Sequence, residues 1–264
     1  MESINALDRV VSDDPAILKF CETMKQFPIK FVDQSVKFGK GSINKERVLC
    51  YIPSTKVSFA RLWDLLLSFG IPQSVMFECQ QHYYESFNLG IALERNGDKN
   101  NYRIYTESRI TQKKYKELID KLVFKYRNVW SAKWNDGITD PEDIKRTTYE
   151  SILEPTYSRL KFAMSMARVS YVPSAITKTL KSKGPEDYTG TYFVTDDNTN
   201  RSALDIKFDL DEEFHLNDFA NDLTKFSSKN VEVSLMHFNS FPIHHVSLGI
   251  DGNENDYVTL YFKL

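Results

Sequence analysis

Hydrophobic and polar residues alternate with a period of two along several short segments, and segments with helical spacing separate pairs of them. The first helical segment, Pro15–Gln26, follows two aspartates that suit a helix start. Two alternating runs come next, Ile29–Lys37 and Arg47–Ile52, joined by a glycine-containing turn. A second helix, Val57–Phe69, then ends at Gly70. The pattern predicts a repeated unit of two strands and a helix.

The same unit recurs along the rest of the chain. The pattern predicts helices over Thr111–Tyr126, Thr139–Tyr157 and Leu216–Phe226. It predicts further strands over Val75–Cys79, Phe87–Leu93, Tyr102–Tyr105, Thr191–Val194, Ser202–Asp209, Val231–Phe238, His245–Ile250 and Tyr257–Phe262. Hairpin turns join neighbouring strands, so the sheet should be mainly antiparallel, in one α/β domain over residues 1–264. A twisted sheet of about ten strands tends to curl or close.

Composition narrows the classes of partner and location. A formal net charge of −2 gives no overall attraction to nucleic acid or to an anionic membrane. No apolar run approaches the roughly 20 residues of a membrane span, and no signal peptide is visible. Three cysteines are too few for a disulfide framework. We therefore expect a cytoplasmic protein that binds neither nucleic acid nor membrane.

The polar faces of the predicted strands have an unusual composition. Each carries Arg, Lys, Asp or Tyr at alternate positions: Asp33, Ser35 and Lys37; Arg47 and Tyr51; Arg103 and Tyr105; Asp205 and Lys207; and Tyr257, Thr259 and Tyr261. The opposite faces are largely aliphatic or Phe and should pack against helices. Two arrangements fit: an open sheet whose polar face meets water, or a closed barrel whose polar face lines a wet lumen.

Motifs for other chemistries are absent from the sequence. It has no phosphate-binding P-loop, no dinucleotide fingerprint, no nucleophile elbow and no Asp-Asp-x-x-Asp metal motif. His244 and His245 are adjacent on a predicted strand, so we expect them on opposite faces, where they cannot chelate together. The residues therefore assign no metal site.

Four strand motifs carry a resemblance to a known family. They are Asp33-Gln34-Ser35-Val36-Lys37; Arg47-Val48-Leu49-Cys50-Tyr51; Phe87-Asn88-Leu89-Gly90-Ile91 leading to Tyr102-Arg103-Ile104-Tyr105; and Val246-Ser247-Leu248-Gly249-Ile250 leading to Tyr257-Val258-Thr259-Leu260-Tyr261. In order and spacing they resemble the strands of ABBA prenyltransferases, specifically the cyanobactin peptide prenyltransferases. The resemblance implies a closed antiparallel β-barrel of about ten strands, surrounded by helices, with the active site inside.

The resemblance also implies an activity. A dimethylallyl or geranyl group would move from an allylic diphosphate to a peptide side chain or to a small aromatic or nitrogenous acceptor, such as a guanidine. Members of the family often use Mg²⁺ with the diphosphate, so the resemblance implies Mg²⁺ as a cofactor.

Roles for individual residues follow from the resemblance. Arg47, Arg103 and Tyr105 match positions that bind the diphosphate, and strand phase adds Lys37 and Lys207. The residues expected to shield the allylic cation are Tyr192, Tyr257 and Tyr261. Asp33 stands where the family usually has a catalytic Glu, one methylene shorter. It could accept a proton or hold a cationic acceptor.

A second function class fits the same residues. The chain could be a non-catalytic α/β module that holds an apolar or anionic ligand in its lumen or groove. An open-sheet interaction protein with a solvated basic face is a third interpretation. Affinity for an allylic diphosphate, followed by a test for product, separates the three.

Overall fold

A single antiparallel sheet organises the chain. The computed structural model describes residues 6–138, 140, 143–182, 184, 188–197, 199–208, 216–224 and 235–264. The strands are β1 (Phe31–Gly39), β2 (Ser42–Asn44), β3 (Arg47–Pro53), β4 (Asn88–Asn96), β5 (Lys99–Glu107), β6 (Lys125–Asn135), β7 (Lys145–Ile152), β8 (Tyr188–Asp196), β9 (Ser202–Phe208), β10 (Ile243–Ile250) and β11 (Asp256–Lys263). Every neighbouring pair is antiparallel.

The sheet closes into a barrel of ten strands. From β3 to β11 the strands pair in sequence order, and β1 pairs with β3 on one side and with β11 on the other. The closing register runs from Asp33 opposite Lys263 to Gly39 opposite Tyr257. The short strand β2 pairs with the end of β1, outside the ring of ten. Closure confirms the barrel and excludes the open sheet.

Helices cover the outside of the barrel. Those in the described residues are α1 (Pro15–Met24), α2 (Phe59–Ser68), α3 (Gln73–Glu85), α4 (Gln112–Asp120), α5 (Tyr157–Met166), α6 (Ser174–Ser182) and the short α7 (Ala220–Leu223). Asp14 caps α1, its carboxylate accepting the Ala16 N–H at 2.8 Å. Ser58, Thr111 and Thr156 cap α2, α4 and α5 in the same way.

The hydrophobic core lies between the helices and the barrel wall, in two clusters. In the first, outward side chains such as Val32 and Ile91 pack with helix residues such as Leu66. In the second, Leu260 belongs to the wall and Leu160 to a helix. The apolar faces of the strands thus pack against the outer helices, and the alternate residues of each strand point into the lumen.

Four elements differ from the sequence-based prediction. Val75–Cys79 is part of α3 and not a strand, because its buried residues Val75, Met76 and Cys79 have helical spacing. The predicted helix Thr139–Tyr157 contains β7 instead, where β-branched Thr147 and Thr148 favour an extended chain. The pattern did not predict β6, and the helix predicted to reach Tyr126 ends at Asp120.

The fourth difference concerns Val231–Phe238, whose described part ends in a short 3₁₀ helix, Met236–Phe238. Residues 231–234 lie outside the described residues. Among the described residues the barrel nevertheless has the ten strands that were expected, because β6 and β7 complete it.

No helix among the described residues combines the length and apolar character needed to cross a membrane.

Candidate active site in the barrel lumen

Two adjoining cavities occupy the lumen, and three residues border both: Leu49, Tyr105 and Tyr261. One cavity, of about 30 Å³, is lined by basic residues and is called here the basic cavity. The other, of about 40 Å³, is lined by tyrosines and carboxylates and is called the tyrosine cavity. Gly90 leaves room between them, since a Cβ there would come within 3.1 Å of both Leu49 and Tyr105 side-chain atoms.

The basic cavity has three cations and one carboxylate on its wall. Glu94 lies 2.8 Å from Lys133 Nζ and 3.6 Å from Arg47 Nε. Arg103 donates to the hydroxyls of Tyr105 and Tyr149 at 3.4 and 3.3 Å. Within the described chain, Arg47 Nε and Nη1 are buried without a hydrogen-bond partner. Unsatisfied buried donors and surplus positive charge make this wall suited to an anion.

Burial and neighbouring charges also shift the pKa values of the groups around the basic cavity. Burial and the nearby Arg47, opposed by Glu94, lower the pKa of Lys37 to about 8. Burial likewise lowers the pKa of Lys133, with Glu94 opposing it. Burial would raise the pKa of Glu94, but Lys133 and Arg47 hold it well below the usual range. Burial and the neighbouring arginines therefore disfavour the charged forms of Lys37 and Lys133, and a bound anion would favour those forms.

A second basic group lies beside the first. Arg201 Nη1 pairs with Asp196 at 2.8 Å, and Arg201 Nη2 donates to the Tyr257 hydroxyl at 3.1 Å. Lys37 Nζ lies 4.3 Å from the centre of the Tyr257 ring, a cation–π contact. This group extends the positive wall toward β9 and β11.

Tyrosines line the middle of the lumen. The Tyr105 and Tyr149 ring centres are 5.9 Å apart, and those of Tyr149 and Tyr192 are 6.4 Å apart. Burial raises the pKa of Tyr192 to about 12, and its hydroxyl donates to Glu107 at 3.1 Å. The faces of these aromatic rings can stabilise a cation.

The far end of the tyrosine cavity is rich in carboxylates. Glu107 and Asp205 line it, together with Lys207 and His245. Lys207 Nζ lies 5.3 Å from the Tyr192 ring centre. The lumen therefore has a surplus of cations at one end, and carboxylates with histidines at the other.

The tandem histidines differ from the sequence-based expectation. A bulge in β10 between Ile243 and His245 breaks the alternation, so both rings reach lumen carboxylates. His244 Nε2 lies 2.9 Å from Asp33 Oδ1, and His245 Nε2 lies 3.4 Å from Asp205 Oδ2. The expected opposite orientation was therefore wrong. The inference that the two rings do not chelate one ion together stays a prediction, and their centres are 6.3 Å apart.

The residues predicted from the sequence all lie in this lumen. Those that line the two cavities are Arg47, Arg103, Tyr105, Lys207, Tyr192 and Tyr261. Asp33, Lys37 and Tyr257 share their strand face but line neither cavity. Their roles stay predictions.

Several lumen residues were not predicted from the sequence. They are Glu94, Lys133, Tyr149, Asp196 and Arg201. Lys133 and Tyr149 were missed because β6 and β7 were not recognised as strands. The alternation of Trp130, Ala132 and Trp134 with Ser131 and Lys133 was the signal available in the sequence.

The described part of the chain was also searched for side chains that could hold a metal ion. No group of three or more His, Cys, Asp or Glu side chains there is placed to hold a metal ion. The carboxylate on the basic cavity, Glu94, is already paired with Lys133. Mg²⁺ is commonly held by one or two carboxylates together with substrate phosphates, so the cofactor that the family resemblance implies stays a prediction.

Comparison with known proteins gives a structural match only. No family model matches the chain, and no curated protein matches it. Among solved structures, AnaPT from Neosartorya fischeri is similar, with 12% sequence identity, 94% of this chain and 88% of that chain covered, and a TM-score of 0.49. The chain has the closed ten-stranded antiparallel barrel with outer helices that its strand motifs predicted, which is the architecture of the ABBA fold.

Proposed function

We propose that the protein transfers a dimethylallyl or geranyl group from an allylic diphosphate to a nucleophilic side chain or small molecule. One observation carries this proposal: a closed, tyrosine-lined lumen with surplus buried cations at one end and carboxylates at the other. Such a lumen combines the three requirements of the reaction, which are an anion site, a cation shield and a proton acceptor.

The donor's diphosphate would bind at the basic cavity. When the allylic C–O bond breaks, negative charge grows on the diphosphate oxygen, and fixed positive groups stabilise that charge most. Arg47 presents buried guanidinium N–H groups without partners among the described residues, and Arg103 and Lys133 add two further positive charges. The lowered pKa of Lys37 would rise when an anion binds nearby, because the anion favours the charged form of the lysine.

The allylic cation would form against the tyrosine faces. Tyr105 and Tyr261 border both cavities, so they flank the point where the prenyl group leaves the diphosphate. Tyr192 extends the same surface. Aromatic faces stabilise a neighbouring cation, and the enclosed lumen keeps out water that would quench it.

The acceptor would enter from the rim next to Glu107 and Tyr192. These two residues also line an open groove of about 310 Å³, which continues over Arg109, Tyr115 and Glu154. A groove this size admits a peptide segment with one side chain directed inward. The resemblance to the cyanobactin peptide prenyltransferases also favours a peptide acceptor.

Proton removal would fall to a buried carboxylate at this end of the lumen. The family resemblance assigns the role of proton acceptor to Asp33. Its Oδ2 is buried without a hydrogen-bond partner among the described residues. The shorter side chain also leaves room for a larger or cationic acceptor group.

Ligand binding would require rearrangement inside the lumen. Cavities of about 30 and 40 Å³ hold only a few water molecules at most. A five-carbon prenyl group would therefore displace side chains, and the flexible Lys207, packed against Tyr51 and Tyr192, is the one placed to move.

A mass-spectrometric screen tests the proposal. The purified protein, Mg²⁺ and dimethylallyl or geranyl diphosphate would be mixed with peptides bearing Tyr, Trp, His or Arg, and calorimetry would measure donor binding. We expect a gain of one prenyl unit on one acceptor class. Tight donor binding without any product would instead support the non-catalytic binding module. Absence of donor binding would refute both.

A further inference from the structure

The acceptor end of the lumen contains two buried carboxylate–histidine pairs. The bulge in β10 directs His244 to Asp33 and His245 to Asp205. Asp33 lies on β1 and Asp205 on β9, so the pairs flank β10 and β11 from opposite sides. Both carboxylates are at least nine-tenths buried. The two pairs share a chemistry but differ in access to the cavity.

Asp205 faces the tyrosine cavity directly, whereas Asp33 does not line it. Asp205 shares the wall with Tyr149 and Tyr261. Its Oδ1 is buried and has no hydrogen-bond partner within the described chain. A buried, unsatisfied carboxylate oxygen is costly unless a ligand group completes it, so this oxygen points to an N–H or O–H of the acceptor.

His245 is held in a fixed orientation beside Asp205. Its ring stacks on Tyr261 with centres 4.0 Å apart and planes 11° apart. The stacking places Nε2 3.4 Å from Asp205 Oδ2, at ion-pair distance but without a hydrogen bond among the described residues, and leaves Oδ1 without a partner. An imidazole in this place can hold the carboxylate in position without touching the substrate.

We propose that Asp205 accepts the acceptor's proton during prenyl transfer and that His245 is its positioning residue. The inference rests on the proposed function and names a residue of that same site. The allylic C–O bond breaks, and its electron pair leaves with the diphosphate. The acceptor's lone pair forms the bond to the allylic carbon, and the acceptor's proton passes to Asp205 Oδ1 and then to water.

The electrostatic surroundings keep Asp205 ionised. Burial would raise its pKa, but His245, Ser247 and Arg201 together hold it below the ordinary value. Burial lowers the pKa of His245, with Asp205 opposing and Lys207 and His244 reinforcing the shift. The other titratable groups that line the cavity with this pair are Tyr51, Tyr105, Glu107, Tyr149, Tyr192 and Tyr261. A weak base suffices, because an acceptor that has just bonded to the allylic carbon is strongly acidic.

The two pairs provide matched variants for the test. Asp205→Asn and Asp33→Asn each remove one charge, and His245→Gln and His244→Gln each remove one imidazole while keeping an N–H donor. His237→Gln, on an exposed 3₁₀ helix, is the surface control. The assay is dimethylallyl transfer to the acceptor found in the screen, with donor affinity by calorimetry and folding by circular dichroism.

We expect Asp205→Asn to lower kcat about 100- to 10,000-fold, the range for lost acid–base catalysis, with donor affinity within about threefold of wild type. Asp33→Asn should lose less than about tenfold in the same assay. His245→Gln should lose about tenfold and should remove the acidic limb that we expect in the pH–rate profile, because a protonated His245 would compete with the acceptor for the Asp205 carboxylate. His244→Gln should keep that acidic limb. If Asp205→Asn folds poorly, Asp205→Glu takes its place in the test. Because Asp205→Glu retains the charge, it should keep part of the wild-type rate.

Three results would overturn the inference. A folded Asp205→Asn with near-wild-type kcat removes the role outright. A large loss confined to Asp33→Asn assigns the proton to Asp33. Equal losses in both Asn variants, with an unchanged acidic limb in His245→Gln, make total charge the cause. If the wild-type protein itself gives no product, it is the proposed function that has failed.

Discussion

Arg103→Ala tests the anion site most directly. Arg103 lies on β5 at the wall of the basic cavity, and its only hydrogen bonds among the described residues go to two tyrosine hydroxyls at 3.3 and 3.4 Å. Those bonds are long, so its N–H groups can turn to a phosphate at little cost. The change removes one of three cations that line the cavity and leaves Glu94 in place.

The magnitude follows from the hydrogen bonds that an alanine cannot donate to the diphosphate. A hydrogen bond to a charged group contributes about 1.5–3 kcal/mol, and part of that would be offset by water entering the space left by the side chain. We take a net loss of about 2–3 kcal/mol for the diphosphate, which corresponds to about 30- to 150-fold weaker binding. The loss in kcat/KM should be at least as large, because charge on the leaving group increases in the transition state.

Calorimetry with dimethylallyl diphosphate gives the affinity, and initial rates by mass spectrometry give kcat/KM. Arg146→Ala is the matched control, since Arg146 also lies in the barrel wall but pairs outside the lumen with Glu78 at 2.8 Å. It should bind the donor like the wild type. If Arg103→Ala also binds within about threefold of wild type, the diphosphate does not occupy the basic cavity.

Three further predictions concern charge and packing. The pKa of Lys37 is about 8 in the fold and near 10.5 unfolded, so stability should rise with pH across that interval. Donor binding at about pH 9 should take up a proton that Lys37→Met does not, as measured by calorimetry in buffers of different ionisation enthalpy. Glu94→Gln removes the partner of Lys133, so it should lower the free energy of unfolding by about 1–3 kcal/mol yet tighten donor binding; weaker binding would contradict the charge argument. Gly249→Ala places a Cβ 2.3 Å from the Ser202 carbonyl oxygen and should cost about 1–3 kcal/mol in thermal unfolding, whereas Gly252→Ala, with only a 3.7 Å contact, should be neutral.

The sequence predicted the wall of the barrel better than its outer layer. Hairpins such as β8–β9 and β10–β11 were found because local turn residues and alternation specify them. The segment Val75–Cys79 was wrongly predicted as a strand, because five apolar-rich residues do not distinguish a strand from one turn of a buried helix. In the β7 region, the apparent start signal at residues 139–142 outweighed the β-branched threonines; Thr139, Pro141 and Glu142 lie outside the described residues.

The site was predictable only where strand phase was known. Arg47, Arg103 and Lys207 were placed in the lumen because their strands were recognised. Arg201 stands one residue before β9, where no periodic pattern extends, so its pairing with Asp196 depends on the hairpin geometry. The β10 bulge shifts His244 by one residue, and a shift of this kind depends on the neighbouring strand and not on local sequence.

The pairing of β1 with β11 has a consequence for how the chain is made. A ribosome produces β1 long before β11, and during that interval the free edge of β1, from Asp33 to Gly39, has no strand to receive it. Unpaired strand edges recruit other chains, and closures between distant segments are slow. The nascent protein is therefore most prone to aggregation just before its last strand emerges. Conditions that keep few incomplete chains present at once, such as a low rate of translation initiation, should therefore raise the soluble yield.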